Sequence, residues 1–415
     1  MGNSAIQSWH VPWAAWHGDT ALELKFPATC TVNDFQMADA PALSDSEIAT
    51  ALKRTIGTES ICQLASGRKS VAIAVDDLSR PTPSHKLLPF LLSELLSCGV
   101  EKKDIKIIVS LGAHTRLGVE QLKRKLGKDV VAEYTILNHD AHSNLAPSGA
   151  IVGKTEVRIN KDFLDSDLKI IMGSVVPHHF AGFSGGAKMI LPGLSDLGAI
   201  AWTHKAVLMG LRSKVGSLKG NRFRKEFESV AATVGIDLSI NVVVNAAREV
   251  CGLFSGDFIA AHREAAECAA RVYKTPAAAS LDVAIFNCYP KDTELIQAEN
   301  AFMFMHSAPE KCIHEKGTVV VASACSEGMG EHGLFDPEGV LYRKPVAKRF
   351  LADRHLVFYS TGISRDDFYK IYWEGYDFCS SWDEVLQILD KRHGPKARMG
   401  IFPNASIQIA ASETD

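Results

Sequence analysis

The sequence has no closely spaced cysteine pairs, no excess of one charge, and no apolar run near the roughly 20 residues a bilayer crossing requires. Nine cysteines are scattered singly, with no CxxC, which excludes a zinc knuckle or a disulfide scaffold and suits reduced thiols in a cytoplasm. A formal net charge of −3 leaves no basic excess for nucleic acid or an anionic membrane surface. The opening MGNSAIQSWHVPWAAWHGD lacks a basic stretch followed by an apolar core, so it does not read as a signal peptide. No GxGxxG follows the first buried-looking strand and no HExxH or HxxxH occurs, which argues against an ordinary NAD-dependent or zinc enzyme. Repeats and low-complexity blocks are also lacking.

What is present is the composition of a globular protein: 415 residues, 46% hydrophobic and 22% charged, too long for one ordinary core. Short β-branched runs at Val71–Val75, Ile105–Ser110, Leu168–Met172, Ile240–Val244, Val283–Asn287, Val319–Ser323 and Leu356–Tyr359 read as strands. Helical patterns fall between them at Leu87–Leu96, Arg222–Val234, Ala260–Tyr273 and Ser381–Leu389, with a shorter one at Pro345–Leu351. Ser44 followed by Glu47 has the form of a capping box that opens another helix. Alternating strands and helices predict two α/β domains with mostly parallel sheets, and the active site in the cleft between them. The proline and small residues around 275–280 suggest a linker between residues 1–274, the catalytic and cofactor-binding domain, and residues 281–415.

Three strand ends carry chemistry. After Leu168–Met172 comes Gly-Ser-Val-Val-Pro-His178-His-Phe-Ala-Gly-Phe-Ser184-Gly185-Gly186-Ala-Lys188. Its glycines permit close backbone approach, which suits a nest of amides around a phosphate, with Ser184 and Lys188 as further donors. A glycine turn beside a solvated lysine is the plainer account, and the two histidines weigh against it. After Val71–Val75 comes Asp76-Asp77-Leu-Ser-Arg80-Pro-Thr-Pro, where prolines stiffen a turn that presents Arg80 for bidentate capture of a carboxylate. Alone, this would read as an Asp77–Arg80 surface pair. After Ile105–Ser110 comes Leu-Gly-Ala-His114. Convergence of such groups at one sheet edge is the form an active site takes. His204 has no partner ligand in sequence and by itself reads as structural.

These segments resemble the nickel-pincer-nucleotide lactate racemase family over nearly the whole length. The most specific part is Pro-His-His-Phe-Ala-Gly-Phe-Ser-Gly-Gly-x-Lys ending at Lys188, with a histidine sixteen positions later at His204. The resemblance implies that Lys188 anchors the nickel-pincer nucleotide covalently, with Ser184, Gly185 and Gly186 near its phosphate. It further implies that His204 ligates the nickel, and that His114 and His178 are the paired general acid/base groups. Arg80 falls where the family holds the substrate carboxylate, with Asp77 orienting His114 or Arg80. It also implies cofactor-biosynthesis proteins as activation partners and a small 2-hydroxy acid as substrate.

The departures lie in Tyr289–Asn300, where the family carries Tyr-Gln-x-x-Lys. Gln297 is kept, but the tyrosine position is Ile296 and the substrate-contacting lysine position is Asn300. The expected activity is therefore racemisation or epimerisation of a 2-hydroxy acid other than lactate, such as a sugar acid at C2. Lactate, or a longer apolar acid, is the alternative. A cofactor-binding homologue without activity would be expected to lack one of the bases, and His114, His178, Lys188 and His204 are all present.

Overall fold

The computed structural model describes residues 6–208, 213–276, 280–308 and 312–411. Two compact units account for the chain. The larger comprises residues 40–271 and 331–342; the smaller comprises residues 1–39, 272–330 and 343–415. This differs from a single cut near 275–280, of which 277–279 lie outside the described residues. The physical reason is strand pairing. Thr31–Asp34 adds a parallel edge strand to Arg398–Phe402, so the start of the chain belongs with its end.

The larger unit is built on a seven-stranded sheet in the order Thr55–Ile56, Val250–Gly256, Leu238–Val244, Leu168–Ser174, Val71–Asp76, Ile105–Ser110, Thr135–Asn138. All neighbours are parallel except Leu238–Val244 with Val250–Gly256. Its central strands are buried on both faces, which is why they read as unbroken apolar runs rather than alternating ones. One face packs the helix Ser84–Ser97 through Leu87, Leu88, Leu91, Leu92 and Leu95. The other packs Phe223, Phe227 and Val230 of the helix Arg222–Val234.

The smaller unit carries a six-stranded sheet, parallel throughout, in the order Asp377–Cys379, His355–Tyr359, Ile313–Ala322, Leu281–Asn287, Arg398–Phe402, Thr31–Asp34. The Ser44–Glu47 capping box forms as read: Glu47 N–H donates to Ser44 Oγ and Ser44 N–H to the Glu47 carboxylate, opening the helix Asp45–Lys53. The helix expected at Pro345–Leu351 is reduced to a single turn, Arg349–Leu351. With Val346 73% and Phe350 39% exposed, that stretch has no apolar stripe to bury. The expectation of nine reduced thiols is corrected at one pair. Cys62 and Cys98 are joined in a disulfide across a 4.9 Å Cα separation, a proximity their 36-residue spacing does not announce. No helix among the described residues is long and apolar enough to cross a membrane.

Candidate active site

The carboxyl ends of Val71–Asp76, Ile105–Ser110 and Leu168–Ser174 open onto a cavity of about 100 Å³. Asp77, Arg80, His114, His178, Ser184, Gly185, Lys188 and His204 all line it. Every lining residue belongs to the larger unit.

The loop after Val71–Asp76 is held from beneath by a buried ion pair. Lys125, fully buried, places Nζ 2.6 Å from Asp76 Oδ1 and donates to the carbonyl of Thr82 at 3.0 Å. Asp76 also accepts from Ser174 N–H, which ties two strand ends together. Burial draws the Lys125 ammonium pKa down, and the Asp76 carboxylate opposes this. The next residue, Asp77, is buried and turns to the site. Its Oδ2 lies 2.6 Å from His114 Nδ1, and its Oδ1 accepts from Ser79 N–H at 3.0 Å. Burial pushes the Asp77 carboxyl up, but the charge and hydrogen bond of His114, with Arg80 and Ser79, outweigh it and hold it well below the ordinary range. The Asp77–Arg80 surface pair is thus replaced by a carboxylate that orients an imidazole. With Nδ1–H donated to Asp77, His114 Nε2 is the nitrogen that can exchange a proton.

The glycine loop is fastened from behind by side chains that sequence reading missed. Buried Arg224 donates to the carbonyls of Phe183 and Gly185, Asn221 to that of Phe180, and His262 Nε2–H to that of Ser184. Gly182 is required by close approach, since a Cβ there would stand 2.1 Å from the Ser217 carbonyl oxygen. Gly186 does not line the cavity: at φ 54° it packs against His262, whose Cδ2 would lie 2.7 Å from an added Cβ. Ser184 spends its hydrogen on the Ser174 carbonyl at 2.6 Å and accepts from Val176 N–H, so it shapes the loop. The hydroxyl that stands ready instead is Ser174 Oγ, buried on the cavity wall with no partner among the described residues.

Lys188 is 9% exposed, its Nζ 2.7 Å from His178 Nε2 and 5.1 Å from the centre of the Phe180 ring. That ring lies 5.8 Å from the imidazole of His204. His204 Nδ1–H donates to the carbonyl of Ile200 at 2.9 Å, one helical turn back, leaving Nε2 with its lone pair. Burial lowers the His204 pKa to about 4, so the imidazole is neutral at pH 7. A neutral imidazole oriented by a backbone carbonyl is a competent ligand for nickel. Together with the unpartnered Ser174 hydroxyl and the Lys188 amine, this fits a lysine-tethered group that carries its own metal.

His332 also lines the cavity and was not singled out in the sequence. Its ring centre is 5.2 Å from that of His114 and 5.6 Å from that of His204. Burial, with His114 and His204 alongside, brings its pKa down to about 2. Gln297 and Asn300 belong to the other unit, where Asn300 Nδ2 donates to the Gln297 carbonyl at 2.8 Å, and neither lines this cavity. The cation expected to be lost at position 300 has a neighbour of the same charge: buried Lys291 places Nζ 3.5 Å from Asn300 Oδ1.

Residues 17–216 match the family described as lactate racemase N-terminal domain. The lactate racemase of Lactiplantibacillus plantarum is 28% identical over 390 residues, covering 87% of this chain and 90% of that one. That of Thermoanaerobacterium thermosaccharolyticum is 28% identical over 312 residues, 72% of each. The solved lactate racemase apoprotein from the latter organism superposes with a TM-score of 0.75 at 23% identity, covering 98% of this chain and all of that one, a likeness of fold. The class these findings define is one of fold, two α/β units on mostly parallel sheets, shared with a racemase. The chain is similar to these lactate racemases over most of its length, and its residues 17–216 match the N-terminal domain of that family.

Proposed function

We propose that the protein interconverts the two C2 configurations of a small 2-hydroxy acid, using a nickel-pincer nucleotide tethered to Lys188. The observation that carries this is the convergence of an Asp77-oriented His114, Arg80, His178, Lys188 and His204 on one cavity. Arg80, half-buried on its proline-stiffened turn, holds the substrate carboxylate by paired N–H donors. His114 Nε2 accepts the C2 hydroxyl proton from one configuration and His178 from the other; each returns it in the reverse direction. Asp77 stabilises the imidazolium formed at His114. Lys188 holds the cofactor and His204 ligates its nickel; when bound, the cofactor supplies reversible hydride exchange at C2. Asn300 in place of a lysine, with Ile296 in place of a tyrosine, supports a substrate with hydroxyl groups beyond C2, such as a sugar acid. Lys291 beside Asn300 supports the second reading, a simple acid such as lactate, because a cation is retained there.

The test is co-expression with cofactor-biosynthesis proteins, followed by intact mass, nickel content and chiral chromatography over lactate, longer alkyl 2-hydroxy acids and aldonates. The expected result is a heavier species mapped to Lys188, absent in Lys188→Ala, with turnover of aldonates. An unmodified Lys188 in fully active protein would remove the basis of the cofactor reading. Turnover of lactate without aldonates would decide for the second substrate.

A further inference from the structure

The chemistry above uses two of the cavity's imidazoles as bases and one as a ligand, and leaves His332 without a task. Its position is tightly fixed. His332 N–H donates to the Asp336 carboxylate at 3.1 Å, Phe335 N–H donates back to the His332 carbonyl at 2.8 Å, and Gly333 N–H donates to the Ala113 carbonyl at 2.9 Å. An antiparallel bridge pairs His332 with His114. The ring is oriented as well: Leu334 N–H donates to His332 Nδ1 at 3.3 Å, and the Phe335 ring packs beside it at 4.9 Å.

A nitrogen that accepts an N–H bond carries a lone pair, so the ring proton resides on Nε2. His332 therefore offers the cavity a donor. It is unsuited to act as a base, because its lone pair is taken by Leu334. Ligating a metal through Nε2 would require moving the proton to Nδ1, which breaks that same bond. Arg80 already provides the cation for a carboxylate. A neutral, immobile N–H beside both His114 and His204 matches a neutral acceptor on the same small molecule.

We propose that His332 is a specificity-determining residue, whose Nε2–H binds a hydroxyl carried beyond C2 of the substrate and so selects polyhydroxylated over alkyl 2-hydroxy acids. This rests on the site reading given above. The test uses holoenzyme made by co-expression, with His332→Phe removing the donor and His332→Gln retaining an N–H. For each, kcat and KM are measured with gluconate, as the aldonate, and with lactate, alongside nickel per chain and the mass of the Lys188 adduct. In His332→Phe, kcat/KM for gluconate is expected to fall roughly tenfold or more relative to that for lactate, mainly through KM, with nickel and adduct retained. His332→Gln is expected to recover most of the ratio. An equal loss on both acids, or loss of nickel, overturns the assignment while leaving the racemase reading intact. Wild-type enzyme that turns over neither acid overturns both.

Discussion

Replacing Asp77 by asparagine removes one charge with almost no change in volume. In the native site the carboxylate accepts from His114 Nδ1 at 2.6 Å and from Ser79, and the surrounding donors hold it ionised despite burial. A charge-assisted hydrogen bond of this kind contributes about 1.5–3 kcal/mol. Its loss from the state in which His114 is protonated slows the reaction by roughly 10- to 150-fold. An asparagine amide can also donate to Nδ1, which moves the ring proton to Nε2 and removes the base outright, so the lower figure is the minimum. The assay is initial-rate kinetics from each configuration by chiral chromatography, at equal Lys188 adduct occupancy. Both directions must fall together, because their ratio of kcat/KM equals the equilibrium constant. The reasoning is refuted if Asp77→Asn stays within threefold of wild type. It is equally refuted if Asp77→Asn and His114→Gln multiply their losses in the double variant, since residues acting as one unit do not add.

Three further outcomes follow from other parts of the molecule. Lys125→Met leaves Asp76 buried without its counter-charge, and urea denaturation should show a loss of about 3–5 kcal/mol, with part recovered in Lys125→Met/Asp76→Asn; a loss under about 1 kcal/mol would contradict the pairing. Gly186→Ala forces a Cβ onto His262 at φ 54°, and should lower the unfolding free energy by about 1–2 kcal/mol or more; an unchanged denaturation midpoint would count against the packing. Acid should destabilise the fold in two steps. Burial lowers His139 from 6.5 to about 4, so the unfolded chain takes up its proton first and stability drops as pH falls below about 6.5; this group alone accounts for about 2 kcal/mol at pH 5, and His204 and His332, lowered likewise, add to it. Asp77, held below its ordinary 3.8, contributes stability that is present above that value and is lost as pH falls further. Denaturation midpoints that stay level from pH 7 to pH 5 would contradict the first step.

The strands that place the site were legible because a parallel sheet buried on both faces demands unbroken β-branched runs, as at Val71–Asp76 and Ile105–Ser110. Chemistry at their carboxyl ends was legible for the same reason: topology alone delivers Arg80, His114 and Lys188 to one edge. What was hidden depends on contacts across the chain. Lys125 sits in the run Lys123-Arg124-Lys125, which has the look of a solvated face, yet only its third member is buried against Asp76. Arg224 and His262 stand on helices whose periodicity says nothing of the glycine loop they clasp. His332 lies in a polar loop far downstream, and only its bridge to His114 brings it in. The glycines were read as a phosphate nest, whereas close packing accounts for Gly182 and Gly186. Thr31–Asp34 is four residues with no pattern of its own, and pairing with a strand at the far end of the chain is what makes it a strand.

That last pairing has a consequence for how the protein is born. At a synthesis rate of roughly 5–20 residues per second, Thr31–Asp34 waits about 20 to 70 seconds after leaving the ribosome before Arg398–Phe402 exists to receive it. The contiguous stretch 40–271 meanwhile has nearly all its own partners in hand. The larger unit can therefore fold first with a nascent arm still dangling ahead of it. The strand is only four residues long and ends in Asn33 and Asp34, a poor template for mispairing during that wait.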